Sequence, residues 1–135
     1  KKPIIIHDRE AHGDIMTIVK KEKAGENGGI FHCYSGSWEM AKECIKEGFM
    51  ISLAGPVTFS NARNLQQVAK EVPFELLLVE TDSPYLSPHP YRGKTNEPSR
   101  LVYTAEKLAE IKGISFEKLA EITTDNACRI YGISK

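Results

Sequence analysis

Three residues able to hold a divalent metal follow short apolar runs: His7 after residues 3–6, His32 after Gly29-Ile30-Phe31, and Asp82 at the end of Val79-Glu80-Thr81. Two imidazoles and a carboxylate suit Zn²⁺ or Mn²⁺ far better than Ca²⁺, which is bound through oxygen. Taken singly, each has a plain structural explanation. A histidine can be hydrogen-bonded within the fold, and Asp-Ser-Pro is good turn chemistry for Asp82. All three at corresponding strand ends are better explained by a shared site, because in parallel α/β architectures the loops leaving the strands converge on one face.

Other reactive residues carry less. His12 falls in a predicted helix, on its surface, and His89 sits between Pro88 and Pro90 as a solvated loop residue. Strand alternation points Glu80 away from the face Thr81 uses, and a buried Glu80 would need Arg92 or Lys94 as partner. Arg92, Lys94 and Arg100 form a positive patch relieved by one acid, Glu97, which suits a phosphate ester as well as a plain solvated loop. Tyr34, Tyr85 and Tyr91 are candidates for base stacking or for packing. Cys33 adjoins His32, but alternation puts neighbouring strand residues on opposite faces and excludes a Cys–His pair. GxSxG, GxGxxG and GxxxxGK[ST] are absent, so nucleotide cradling by a glycine-rich loop is unsupported.

The elements that must position these residues are legible as two alternating periodicities. Apolar runs at residues 3–6, 29–34, 49–53 and 76–81 lack in/out alternation, as strands buried on both faces of a parallel sheet do. Between them Ile15, Ile18 and Val19 predict one helix face. Ser37 caps a helix over 38–47 with Ala41, Cys44 and Ile45 inward and Gly48 as its stop. Leu65, Val68, Ala69 and Val72 predict a third helix, ended by Pro73. Residues 83–98, with four of the seven prolines, read as a long loop of the kind that is often functional. A helix over 99–112 buries Leu101, Ala105 and Leu108 and closes at Gly113. Ser115 caps a stretch with Leu119, Ala120 and Ile122, and a separate short helix spans 125–131.

Length and composition bound the rest. The 135 residues predict one domain, 1–135, and 41% hydrophobic with 27% charged residues is globular composition. Eighteen basic against eighteen acidic residues exclude a strongly polybasic nucleic-acid binder while permitting a local basic patch. No apolar run approaches the ~18 residues of a membrane span, and the amino-terminal stretch is too short for a signal peptide. Cys33, Cys44 and Cys128 are odd in number without CxxC spacing, which argues against a disulfide scaffold or cysteine zinc site and makes a reducing cytoplasm the expected location.

Four segments carry a family resemblance: Ile5-Ile6-His7-Asp8-Arg9, Phe31-His32-Cys33-Tyr34-Ser35-Gly36-Ser37, Leu77-Leu78-Val79-Glu80-Thr81-Asp82-Ser83-Pro84-Tyr85-Leu86 and Tyr91-Arg92-Gly93-Lys94-Thr95-Asn96-Glu97-Pro98. Together with Thr124-Asp125-Asn126-Ala127 they resemble the TatD family of metal-dependent deoxyribonucleases, amidohydrolase-like TIM barrels that bind two divalent ions (Zn, Mn or Mg). The resemblance implies that His7 and His32 bind one metal. It makes Asp82 a ligand of the other and the group that orients or deprotonates the attacking water, and it makes Arg92 a contact for the substrate phosphate. The implied reaction is hydrolysis of phosphodiester bonds in DNA, at single strands or strand ends, by a two-metal-activated water.

The resemblance also sets what is missing. Such barrels begin with a His-x-His pair and supply a bridging Glu before the position of His7, and eight βα units need about 250 residues. The expected fold is therefore α/β: four consecutive parallel βα units, the C-terminal half of a TIM barrel, with extra C-terminal helices. Its expected partners are DNA and the N-terminal half of the barrel. The isolated chain is expected to be inactive, and its inward layer and two open strand edges favour a homo-oligomer. Two other readings use the same residues: a metal-dependent deacylase of aminoacyl-tRNA or another ester or amide, and a non-catalytic α/β module.

Overall fold

The computed structural model describes residues 2–134, and Lys1 and Lys135 lie outside them. Four strands alternate with helices: β1 (Ile4–His7), α1 (His12–Lys21), β2 (Gly29–His32), α2 (Trp38–Lys46), β3 (Phe49–Leu53), α3 (Arg63–Glu71) and β4 (Leu77–Val79). After the long loop come α4 (Leu101–Lys112) and α5 (Phe116–Tyr131). The strands are parallel and ordered β1-β2-β3-β4, each beside its sequence neighbour. The order does not reverse, as it would in a doubly wound sheet; this is the sequential order of a (β/α) barrel.

The sheet's two faces are covered differently. On the outer face Phe31, Ile51, Leu53 and Leu77 pack with Val19, Cys44, Val68 and Leu108 of the surrounding helices. Phe31 meets the Phe49 ring edge-on at 5.0 Å. On the inner face Ile30, Met50 and Leu78 form a smaller cluster with Ala127 and Ile130 of α5. The inward layer was expected to lie open. Instead these three residues are 4–6% exposed beneath the last turns of α5, and Ile5 on edge strand β1 remains 58% exposed.

Local punctuation works as the residues require. The Ser37 hydroxyl accepts from the Met40 N–H to start α2. Gly113 ends α4 at φ 68°, in the left-handed region that costs glycine nothing. Two expectations need correction. In α1 the buried residues are Met16 and Val19, and Ile18 is 59% exposed. At 100° per residue the contact stripe runs through 15, 16 and 19 and leaves 18 outside it. Residues 116–131 are one continuous helix, not two. The Thr123 hydroxyl bonds back to the Leu119 carbonyl, and the Asn126 amide bonds outward to the Phe74 and Leu77 carbonyls, so neither residue interrupts the helix.

The loop after β4 has no regular helix or strand up to the 3-10 turn at Pro98–Arg100, yet it is tightly held. Buried Asn96 donates to the carbonyls of Thr81 (2.9 Å) and Tyr85 (2.8 Å), and its own N–H reaches the Pro84 carbonyl. The Ser87 hydroxyl donates to the Lys94 carbonyl. Gly55 permits the close approach of this loop to the 3-10 turn that follows β3, since a Cβ there would stand 2.0 Å from the Leu86 carbonyl oxygen. No described helix is long and apolar enough to cross a membrane.

Candidate metal centre

The parallel register of β1 and β2 sets His7 directly beside His32, with ring centroids 5.6 Å apart. β4 brings the third residue. Past Val79 the Glu80 N–H bonds to the Leu53 carbonyl of β3 and extends the ladder by a residue. Asp82 then turns the chain at φ 57°, a conformation in which Asp is enriched, and its carbonyl closes a turn with the Tyr85 N–H. Asp82 is thus a turn residue and a cavity residue at once. Its Oδ1 lies 3.5 Å from His32 Nε2. His7 and Asp82 line a cavity of about 700 Å³ together with Asp8, Arg9, Cys33 and Tyr85. His32 faces a smaller recess of about 160 Å³ on the inner face, beside Ser52 and Glu80. The three residues therefore meet at the junction of two adjoining cavities.

Glu80 is the residue that local sequence reasoning assigned the wrong partner. It pairs with neither Arg92 nor Lys94. Both its carboxylate oxygens lie close to His32 Nδ1, at 2.9 and 3.0 Å, and it also accepts the Cys33 N–H. With Nδ1 committed to a carboxylate, His32 is left with Nε2 turned toward Asp82. Metal-bound histidines have this arrangement, in which a second carboxylate fixes tautomer and ring orientation.

Cys33 also departs from expectation. β2 ends at His32, and Cys33 takes φ 48°, so strand alternation no longer governs it and the residue walls the larger cavity. Burial, followed by the nearby charges of Glu80 and Asp82, pushes its thiol up to about 12. At neutral pH it is a thiol, not a nucleophilic thiolate.

Asp8 and Arg9 line the cavity too, and sequence reasoning did not single them out. The Asp8 carboxylate is held by the Ala11 N–H and by His12 Nδ1 at 2.6 Å, which makes it a brace for the start of α1. Their position directly after His7 at a strand end was the available signal. Arg92 lies in a neighbouring cleft with Lys94, where its guanidinium stacks over Phe59 at 3.9 Å. Of the other histidines, His89 is exposed, and its N–H bonds to the Thr58 hydroxyl.

The donor set fits a Zn²⁺- or Mn²⁺-type ion: two imidazoles side by side, one with its remote nitrogen already bonded, and a carboxylate within reach. It is an incomplete set. Among the described residues no three His, Cys, Asp or Glu side chains converge on one ion position.

Comparison with known proteins gives this site its context. A family model described as TatD related DNase matches residues 1–132. The chain belongs to that family. It is 54% identical over 132 residues to the uncharacterized metal-dependent hydrolase YabD of Bacillus subtilis, covering 98% of this chain and 52% of that protein. Against the uncharacterized metal-dependent hydrolase YcfH of Escherichia coli K12 identity is 46%, covering 98% of this chain and 50% of YcfH. The crystal structure of YjjV, a TatD homologue from E. coli K12, superposes with a TM-score of 0.89 at 24% identity over 98% of this chain and 51% of that one. The chain thus spans about half the length of the curated relatives it matches. Its fold is half of a TatD-type barrel, and the relatives compared above are named as metal-dependent hydrolases.

Proposed function

We propose that this chain carries half of the active site of a metal-dependent phosphodiesterase acting on DNA, the other half of the barrel supplying the remaining metal ligands. The observation that supports this most is the His7–His32–Asp82 junction with Glu80 behind His32. His7 and His32 hold one ion through their ring nitrogens, and Asp82 belongs to a second. When bound, such ions lower the pKa of water and neutralise charge that develops on phosphorus-bound oxygens. Asp82 accepts a proton from the attacking water as its oxygen forms a bond to phosphorus. The ester P–O bond breaks on the opposite side, and the proton passes to the departing alkoxide. Arg92 pairs with a phosphate of the substrate, and Arg9 on the cavity wall adds a second positive charge toward an anionic ligand.

Ester or amide deacylation would use the same ligands, so substrates must separate the two. A complete barrel containing this chain, loaded with Mn²⁺ or Zn²⁺, is assayed on single-stranded DNA and on aminoacyl-tRNA. DNA cleavage that disappears with chelator is expected. Deacylation without DNA cleavage would overturn the reading. His32→Ala in the same barrel is expected to lower bound metal and turnover together.

A further inference from the structure

Beside the metal cavity lies a second cleft of about 700 Å³, walled by Phe59, Tyr85, Leu86, Arg92 and Lys94. Tyr85 and Leu86 form the partition, since they line both spaces. We propose that this cleft holds the nucleotide next to the scissile bond, with its base stacked on Tyr85 and its phosphate held by Arg92 and Lys94. The proposal deepens the phosphodiesterase reading and rests on it for the position of the bond that is cut.

Three observations carry it. The first is an aromatic ring left bare where a base would need it. Of the three tyrosines able to stack, Tyr34 is buried with its hydroxyl on the Ser37 carbonyl. Tyr91 is packed against the Tyr103 ring at 5.3 Å with the Arg100 guanidinium over it at 4.2 Å. Tyr85 alone of the three is open, 69% exposed. A ring at the boundary between two clefts can stack a base of a strand that passes from one to the other.

The second is uncompensated, oriented positive charge. Neither Arg92 nor Lys94 has a carboxylate partner among the described residues. Arg92 is stacked on Phe59 and its Nη1 lies 3.5 Å from Asn61 Oδ1. Stacking fixes the guanidinium plane while leaving N–H edges for a phosphate.

The third is rigidity. The segment that carries Tyr85, Arg92 and Lys94 is tied to itself by Asn96, by the Ser87–Lys94 bond and by a backbone bond from the Lys94 N–H to the Tyr91 carbonyl. A cleft built on such a loop is formed before the ligand arrives, so little ordering entropy opposes binding.

The test uses the complete barrel without catalytic metal, in chelator, and reads fluorescence anisotropy of a labelled thymidine oligonucleotide over a range of salt. Tyr85→Ala is expected to weaken binding about 5- to 150-fold with an unchanged salt slope. Tyr85→Phe, which keeps the ring, is expected to bind like the parent. Arg92→Ala and Lys94→Ala are each expected to reduce the slope of log K against log salt by about 0.7. Parent-like binding by Tyr85→Ala, together with unchanged slopes in the two cation variants, overturns the proposal. So does a parent barrel that does not bind the oligonucleotide. DNA cleavage by a metal-loaded barrel whose oligonucleotide binding ignores all three residues sinks this cleft and leaves the phosphodiesterase reading intact. Binding that depends on them in a barrel that cleaves no DNA does the reverse.

Discussion

Removing Glu80 should loosen the metal site without touching a metal ligand. Its carboxylate accepts His32 Nδ1–H at 2.9 Å and the Cys33 N–H, so it fixes the tautomer of His32 and the backbone just beyond it. Both partners are about a quarter exposed, which leaves each bond partly shielded from water. One charge-assisted hydrogen bond is worth about 1.5–3 kcal/mol, or roughly 10- to 150-fold in an equilibrium constant. That overlaps the range of about 10- to 100-fold by which changes to such supporting carboxylates weaken metal affinity. Glu80→Ala is therefore expected to weaken Zn²⁺ binding by the complete barrel about 10- to 100-fold. Glu80→Gln, which retains one acceptor oxygen, should fall between Ala and the parent. Competition against a chromogenic chelator measures the affinity, and nitrogen-15 NMR reads the His32 tautomer directly. In a His32→Ala background the Glu80→Ala effect should nearly vanish, since the two act through one bond. Zn²⁺ affinity within twofold of the parent in Glu80→Ala, or full additivity with His32→Ala, would refute the coupling.

Further outcomes follow from other parts of the structure. Asn96→Ala strands the Thr81 and Tyr85 carbonyls and should cost about 2 kcal/mol, seen in calorimetry as a Tm lower by about 6–8 °C. The Cys44 thiol is pushed from 9.0 up to about 12, first by burial, so its protonated form is favoured in the folded chain. The stabilisation this gives is complete below pH 9 and is lost as pH rises toward 12, by about 1.4 kcal/mol per unit. Urea unfolding at pH 8, 10 and 11 checks the sign, and Cys44→Ala should flatten the decline. The open edge of β1, with Ile4 40% and Ile5 58% exposed, is expected to drive the isolated chain into dimers or larger species. Light scattering that gives a monomer at millimolar concentration would contradict this.

How far the sequence alone reaches depends on the range of the interaction. The βα alternation, the Ser37 cap and the Gly113 stop were legible because each rests on residues within about four positions of one another. The juxtaposition of His7 and His32 was legible because both close apolar runs that the fold sets in register. The His32–Glu80 bond was not: it joins residues 48 apart, and no local pattern marks a carboxylate's partner across two strands. Alternation misled only at Cys33, which lies just past the last residue of β2, where the backbone leaves the pleat at φ 48° and period two no longer applies. The break assumed before residue 125 failed because the helix's polar residues found partners within it and beyond it.

The shared claim beneath these expectations is that His7, His32 and Asp82 surround divalent ions. Crystals of the complete barrel grown with Zn²⁺ and measured at the zinc absorption edge test it most directly. Anomalous peaks about 2.0–2.2 Å from ring nitrogens of His7 and His32 and from an Asp82 carboxylate oxygen are the expected result. A zinc-replete crystal with no anomalous peak within 4 Å of any of the three would contradict it.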